Sequence, residues 1–187
     1  VRRENPTLSE KSTDEGLIEA AVEFVRVNGQ QRWFVYLHLM DLHEYVYGEE
    51  TALFGASYSD SYDNSIRWVD NILGPFFGFM ADEGYLENTL IVVGSDHGEA
   101  FMQHGAVGHN LFCYEPMIRI PWILSAPGVI EAGRRIPGTG SLLDVAPTLV
   151  ELFGLPRPGQ PMAGASLVPE LMGGGPIEDR PLLISSR

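Results

Sequence analysis

Two hydrophobic rhythms alternate along the chain. Over residues 14–27, Leu17, Ile18, Ala21, Val22 and Val25 recur at three- and four-residue steps, the spacing of one helical face. Ser12 or Thr13 can cap its start, and Asn28-Gly29 can end it. Residues 33–40 form a nearly continuous apolar and aromatic run, which predicts a strand buried on both faces. Residues 41–59 are aromatic and glycine-containing without a period and read as a loop. Over 61–83, Ile66, Val69, Leu73, Phe77 and Met80 return to helical spacing, with Pro75 placed to kink or break the helix. Runs 89–94 and 118–124 have the length and greasiness of further buried strands. Residues 144–153 predict a short helix, capped by Asp144, tolerant of Pro147 in its first turn and stopped by Gly154. The first twelve residues are polar and linker-like, and 156–176 are rich in proline and glycine, which predicts irregular surface chain.

Strands alternating with helices imply βαβ units. The expected fold class is α/β, a mostly parallel sheet flanked by helices on both faces. In such sheets ligands bind beyond the carboxyl ends of the strands. That rule directs attention to the residues just after each apolar run.

Composition narrows the partners. At 187 residues the chain can bury a real core. A start at Val1 and a stop inside "RPLLISSR" suggest a domain truncated at both ends, a single partial domain over 1–187. The net charge of −13 argues against nucleic acid, which needs a clustered positive surface. It leaves room for a small anionic substrate, because a metal ion and a few histidines can create a local positive pocket. The single cysteine, Cys113, excludes an internal disulfide and reads as a small buried hydrophobe. No apolar run is long enough to span a bilayer.

The five histidines are not scattered. His97, His104 and His109 fall within "IVVGSDHGEAFMQHGAVGHN", and His38 and His43 within "WFVYLHLMDLHEY". Asp96 and His97 place a carboxylate and an imidazole at the lip of a strand, a good way to hold a divalent metal, with Gly98 letting the backbone turn away. The bland alternative is a turn whose aspartate caps the next segment. His104 and His109, flanked by Gly105 and Gly108, suit metal ligation, anion contact or a solvated loop. His38 lies inside the apolar run, where a hydrogen-bonded core histidine is expected. His43 follows Asp41 past the end of that run and has the better claim to chemistry.

Four blocks in order, "YLHLMDLHEYVY", "YDNSIRWVDNILG", "LENTLIVVGSDHGEAFMQHGAVGHNLFCYEPMIRIPWILSAPG" and "GSLLDVAPTLVELFGLPRPGQPMAGASLVPEL", resemble the sulfatase family of the alkaline phosphatase superfamily. The resemblance implies that Asp96 and His97 are the second pair of metal ligands, the metal usually being calcium. By residue chemistry alone, an imidazole in the shell leaves manganese or zinc as alternatives. It implies further that His43 contacts the sulfate and serves catalysis, that His109 does the same where many members carry lysine, and that His104 lies among the substrate-binding residues. Glu115 and Arg119 match a structural pair orienting the strand that follows.

The family's nucleophile is a formylglycine made from the Cys or Ser of a C/S-x-P-x-R motif. No such motif occurs in these 187 residues, so the formylglycine is expected upstream of Val1 and the chain alone is expected to be inactive. The reading is a metal-dependent sulfuric ester hydrolase acting on a small-molecule or carbohydrate sulfate ester, with a lean by resemblance to a periplasmic or extracellular setting. Two alternatives stay open: a phosphoester hydrolase or phosphoethanolamine-type transferase of the same superfamily, and a non-catalytic interaction module.

Overall fold

The computed structural model describes residues 13–109 and 112–184. The linker expected over 1–12 lies outside the described residues. The chain forms two compact units that divide between Glu87 and Asn88.

The first unit is built on two helices, α1 (Thr13–Asn28) and α2 (Tyr58–Asp82). Ile18, Ala21 and Val25 of α1 meet Phe76 and Met80 of α2 in one buried apolar cluster. Each of the larger side chains, Ile18, Val25, Phe76 and Met80, contributes about 1.5–3 kcal/mol relative to exposure. Ser57 caps α2: its hydroxyl accepts the Asp60 N–H at 3.1 Å while the Asp60 carboxylate accepts the Ser57 N–H at 2.9 Å. Those bonds to Ser57 hold the exposed Asp60 carboxyl below its ordinary range. Pro75 does not split α2, which runs unbroken past it. The preceding Gly74 has no Cβ for the proline ring to strike.

Residues 33–40 depart from expectation. They run without a ladder partner among the described residues, and their burial alternates. Trp33, Leu37 and Leu39 are half-buried against the helix cluster, while Phe34, Tyr36 and Met40 are exposed. The stretch therefore reads with period 2, one face covered, not as a strand buried on both sides. His38 falls on the exposed face, its Nδ1 3.2 Å from the Tyr36 hydroxyl, and is no core histidine.

The second unit contains β1 (Ile91–Gly94), β2 (Ala100–Phe101), β3 (Val107–Gly108), α3 (Glu115–Ile118), β4 (Trp122–Ser125), α4 (Val145–Leu152) and α5 (Val168–Leu171). β1 pairs with β4 from Ile91↔Ser125 to Gly94↔Trp122, and β2 pairs with β3; both ladders are antiparallel. The two expected strands do share a sheet, but they do not run parallel. No parallel ladder occurs among the described residues. The physical reason lies in the connection. Parallel neighbours need a crossover, usually a helix, whereas β1 and β4 are joined through a tight hairpin and a single-turn helix, and the chain returns in the opposite direction. β4 also starts later than the apolar pattern suggests: α3 takes Ile118, and residues 119–121, which end in Pro121, are irregular.

Asp144 is fully buried but does not cap α4 through its side chain. Its carboxylate instead accepts the Ser141 N–H at 2.8 Å, the Ala165 N–H at 2.9 Å and the Arg180 guanidinium. The buried Thr148 hydroxyl accepts the Leu167 N–H at 3.0 Å, tying α4 to the start of α5. These bonds hold the otherwise irregular segment after α4 in place. Gly154, at φ +58°, ends α4 as expected.

Candidate active site

β1 ends at Gly94, and the chain turns through Ser95, Asp96, His97 and Gly98. Local hydrogen bonds fix this turn. The Ser95 hydroxyl donates to the His97 carbonyl at 2.5 Å, and Asp96 Oδ1 accepts the His97 N–H at 3.0 Å. Gly98 is required by proximity rather than by a turn: a Cβ there would stand 2.2 Å from the Pro116 carbonyl oxygen. Its N–H donates to the Met117 carbonyl at 2.7 Å, which anchors the site against α3.

His97 Nδ1 is 2.9 Å from the Gly98 carbonyl. A carbonyl only accepts, so the proton sits on Nδ1 and Nε2 keeps its lone pair. That Nε2 is 3.7 Å from Asp96 Oδ2, and the Asp96 side chain is largely exposed. With ligand bonds of about 2.3 Å, two donors of one cation stand on the order of 3–4 Å apart. The donor pair therefore fits a shared divalent ion, as two members of a larger shell. Among the described residues no three His, Cys, Asp or Glu side chains gather into such a shell.

The β2–β3 hairpin folds His109 back onto this pair. Its register, Ala100↔Gly108, sets Glu99 across from His109 on the next rung. Glu99 Oε2 lies 3.3 Å from His109 Nδ1, and the His109 ring stacks on that of His97 with centroids 4.1 Å apart and planes at 27°. The Glu99 side chain is only 7% exposed, and its other oxygen, Oε1, is buried with no hydrogen-bond partner among the described residues. Sequence reading passed over Glu99. The available signal was its place in "SDHGE", an acid two residues beyond the metal-type pair, opposite a histidine across a glycine-flanked hairpin.

The other two site candidates make contacts of their own. His104 sits at the hairpin tip at φ +59°, after Met102 at φ +74°, two left-handed non-glycine residues in one turn. Its ring stacks on Tyr114 with centroids 4.0 Å apart. His43 belongs to the first unit, in the turn after residues 33–40, with Nδ1 3.3 Å from Glu44 Oε1. Two buried carboxylates fix that turn reciprocally. Asp14 accepts the N–H groups of Met40 (2.9 Å) and Asp41 (3.0 Å), and Asp41 accepts the Thr13 N–H (3.1 Å) and the Trp68 indole N–H (2.9 Å). Burial pushes the Asp14 carboxyl above its ordinary value, against the two backbone bonds and with the help of the Asp41 charge.

Two expectations fail at the rim of the second unit. Cys113 is exposed, in irregular chain just before α3. Arg119 Nη1 bonds Glu115 Oε1 at 2.9 Å, but both side chains are largely exposed, so the pair is a surface contact one helical turn long.

Comparison with known proteins bears on what this geometry is. The chain is 30% identical over 176 residues to the N-acetylgalactosamine-6-sulfatase of the dog, Canis lupus familiaris, which takes in 88% of this chain and 33% of that one. It thus spans about a third of that relative's length. A solved structure in complex with its substrate, D-glucosamine-2-N,6-O-disulfate, is 33% identical at a TM-score of 0.54, over 65% of this chain and 24% of the other. The crystal structure of Ps i-CgsB shares the fold at a TM-score of 0.72 with 24% identity, over 87% of this chain and 39% of its own. Residues 2–155, the span that holds Asp96, His97 and His109, match the sulfatase family, and the chain belongs to it.

Proposed function

We propose that the protein carrying this chain hydrolyses a sulfate ester of a carbohydrate, and that this chain supplies part of the active site. The observation that carries the reading is the strand-end cluster: Asp96 and His97 with donor atoms 3.7 Å apart, and His109 stacked on His97. A sulfated sugar is favoured because the dog relative is an N-acetylgalactosamine-6-sulfatase and one similar structure holds a glucosamine disulfate as its substrate.

Asp96 and His97 would hold the divalent cation, calcium by family resemblance, with manganese or zinc as the alternatives that an imidazole ligand admits. When bound, such a cation neutralises charge on the sulfuryl oxygens. His109 would meet a sulfuryl oxygen, where a positioned donor is worth most as charge develops. His43 would assist at the leaving oxygen. The formylglycine nucleophile would come from a segment other than these 187 residues, so this chain alone should show no turnover.

The test uses the intact protein, purified, with 6-O-sulfated hexosamines and matched phosphate monoesters. Sulfate release that is lost on chelation and restored by calcium or manganese is expected. His109→Ala should lower turnover on the order of 10²–10³-fold, the effect of deleting one transition-state donor. Preferential hydrolysis of the phosphate esters would favour the phosphoester alternative, and turnover untouched by His109→Ala would remove this site from the chemistry.

A further inference from the structure

We propose that Glu99 is a positioning residue for His109: its Oε2 holds the ring through Nδ1, so that the imidazole lies flat against His97 and meets the sulfuryl group through Nε2. The inference rests on the reading of His109 as a sulfate contact.

Three observations carry it. The hairpin register places the two residues opposite one another, so their contact follows from the backbone and not from a chance rotamer. A carboxylate can only accept, so Nδ1–H is the donor to Oε2, and a ring that also carries a proton on Nε2 offers that second N–H to the sulfuryl oxygen. And Glu99 is kept in a place that gives it little. Its side chain is nearly buried, yet Oε1 has no hydrogen-bond partner among the described residues. A buried acceptor left unsatisfied costs free energy, and such groups call for a functional explanation.

Two plainer readings of Glu99 fit less well. A solvated surface acid would not be 7% exposed. A structural acid would resemble Asp14 or Asp144, whose carboxylates accept main-chain N–H groups of distant segments. Glu99 instead turns one oxygen to a histidine of the site. At 3.3 Å the contact is looser than a tight charge-assisted bond of about 2.7–2.9 Å, and catalytic hydrogen bonds commonly tighten only once the ligand is in place.

The experiment is a double-mutant cycle in the intact protein, read with a 6-O-sulfated hexosamine. Glu99→Ala should lower kcat about 10–100-fold, the usual scale for removing the partner that orients a site imidazole. Glu99→Gln should recover most of that loss, because its carbonyl oxygen still accepts from Nδ1. In the His109→Ala background, Glu99→Ala should cost nothing further. The melting temperature of Glu99→Ala should not fall, since the substitution removes an unsatisfied buried oxygen. Additive losses in the cycle, or a lowered melting temperature that accounts for the lost activity, would overturn the proposal. An arm independent of turnover uses nitrogen-15 imidazole spectra. Wild-type His109 should show an Nδ1 that carries its proton in a hydrogen bond, and Glu99→Ala should lose that hydrogen-bonded signal. An unchanged Nδ1 signal would overturn the proposal even in an active enzyme. An inactive wild type with the Nδ1 change present would fault the sulfatase reading and leave the Glu99–His109 coupling standing.

Discussion

The two units solve the same problem with different materials. The first has a contiguous apolar cluster, Ile18, Ala21, Val25, Phe76 and Met80, between two helices. Its buried carboxylates, Asp14 and Asp41, then pin the turn that carries His43 to the start of α1. In the second unit the buried apolar residues are few and separated in sequence, Ala100, Met117, Leu167 and Leu171. There a carboxylate does what a core does elsewhere: Asp144 gathers Ser141, Ala165 and Arg180 from three separate stretches of chain. Buried acids are thus accessory in one unit and central in the other. Asp14 and Asp144 are engaged by main-chain donors, whereas Glu99, beside the site histidines, keeps one buried oxygen without a partner among the described residues, as Glu170 does away from them.

The largest effect should come from breaking the second unit at Asp144. Asp144→Ala leaves two main-chain N–H groups without their acceptor and the Arg180 guanidinium without its counter-ion. Loss of one partner from a buried pair costs about 3–5 kcal/mol. Urea denaturation of the intact protein should show destabilisation on that scale. A loss under about 1 kcal/mol would mean the polar bonds are incidental and that scattered apolar contacts hold the unit together.

What the sequence could and could not disclose follows the same division. The helices were legible because their apolar residues repeat at helical spacing and most of them face one cluster; α1 and α2 fall within a few residues of expectation. The strand end at Asp96-His97 was legible because β-branched residues stop there abruptly. Direction was not. Apolar runs 89–94 and 118–124 carry no mark of parallel or antiparallel pairing, and only the geometry of the intervening hairpin decides it. Run 33–40 misled in another way, because its large apolar residues sit on both faces while only alternate ones are covered. Glu99 and Asp144 were missed in their roles because a carboxylate's partners, ten and thirty-six residues away, are set by register and tertiary packing and leave no local pattern.

A second, smaller effect tests the accessory acid of the first unit. Burial holds the Asp14 carboxyl above 3.8, with Asp41 the charged neighbour across from it. The folded chain therefore binds that proton more tightly than the unfolded chain does. This site's contribution to stability is greatest below 3.8 and is lost as pH rises through the raised folded value. Asp14→Asn removes the titration and keeps the shape and one acceptor. Paired denaturation curves between pH 7 and pH 4 should show the wild type gaining on Asp14→Asn as pH falls, the general acid effects cancelling in the difference. A gap that narrows on acidification would mean that the bonds from Met40 and Asp41 outweigh burial.

The smallest effect should be at Glu115 and Arg119, where family resemblance led to a strand-orienting pair. Geometry is favourable, at 2.9 Å and one helical turn apart, yet both side chains stand mostly in water. There solvent screens the attraction, and the loss of side-chain freedom offsets much of what remains; exposed pairs of this kind are worth about 0.2–1 kcal/mol. What anchors α3 is instead the main chain, through the Gly98 N–H donating to the Met117 carbonyl and the close approach that a glycine alone permits there. Arg119→Ala should therefore change stability by no more than a few tenths of a kcal/mol and leave any sulfate release within about twofold of wild type. The measurement is a urea curve beside a sulfate-release assay at low and high salt. A loss above 1 kcal/mol that salt does not weaken would show the pair to be part of the frame that holds the site.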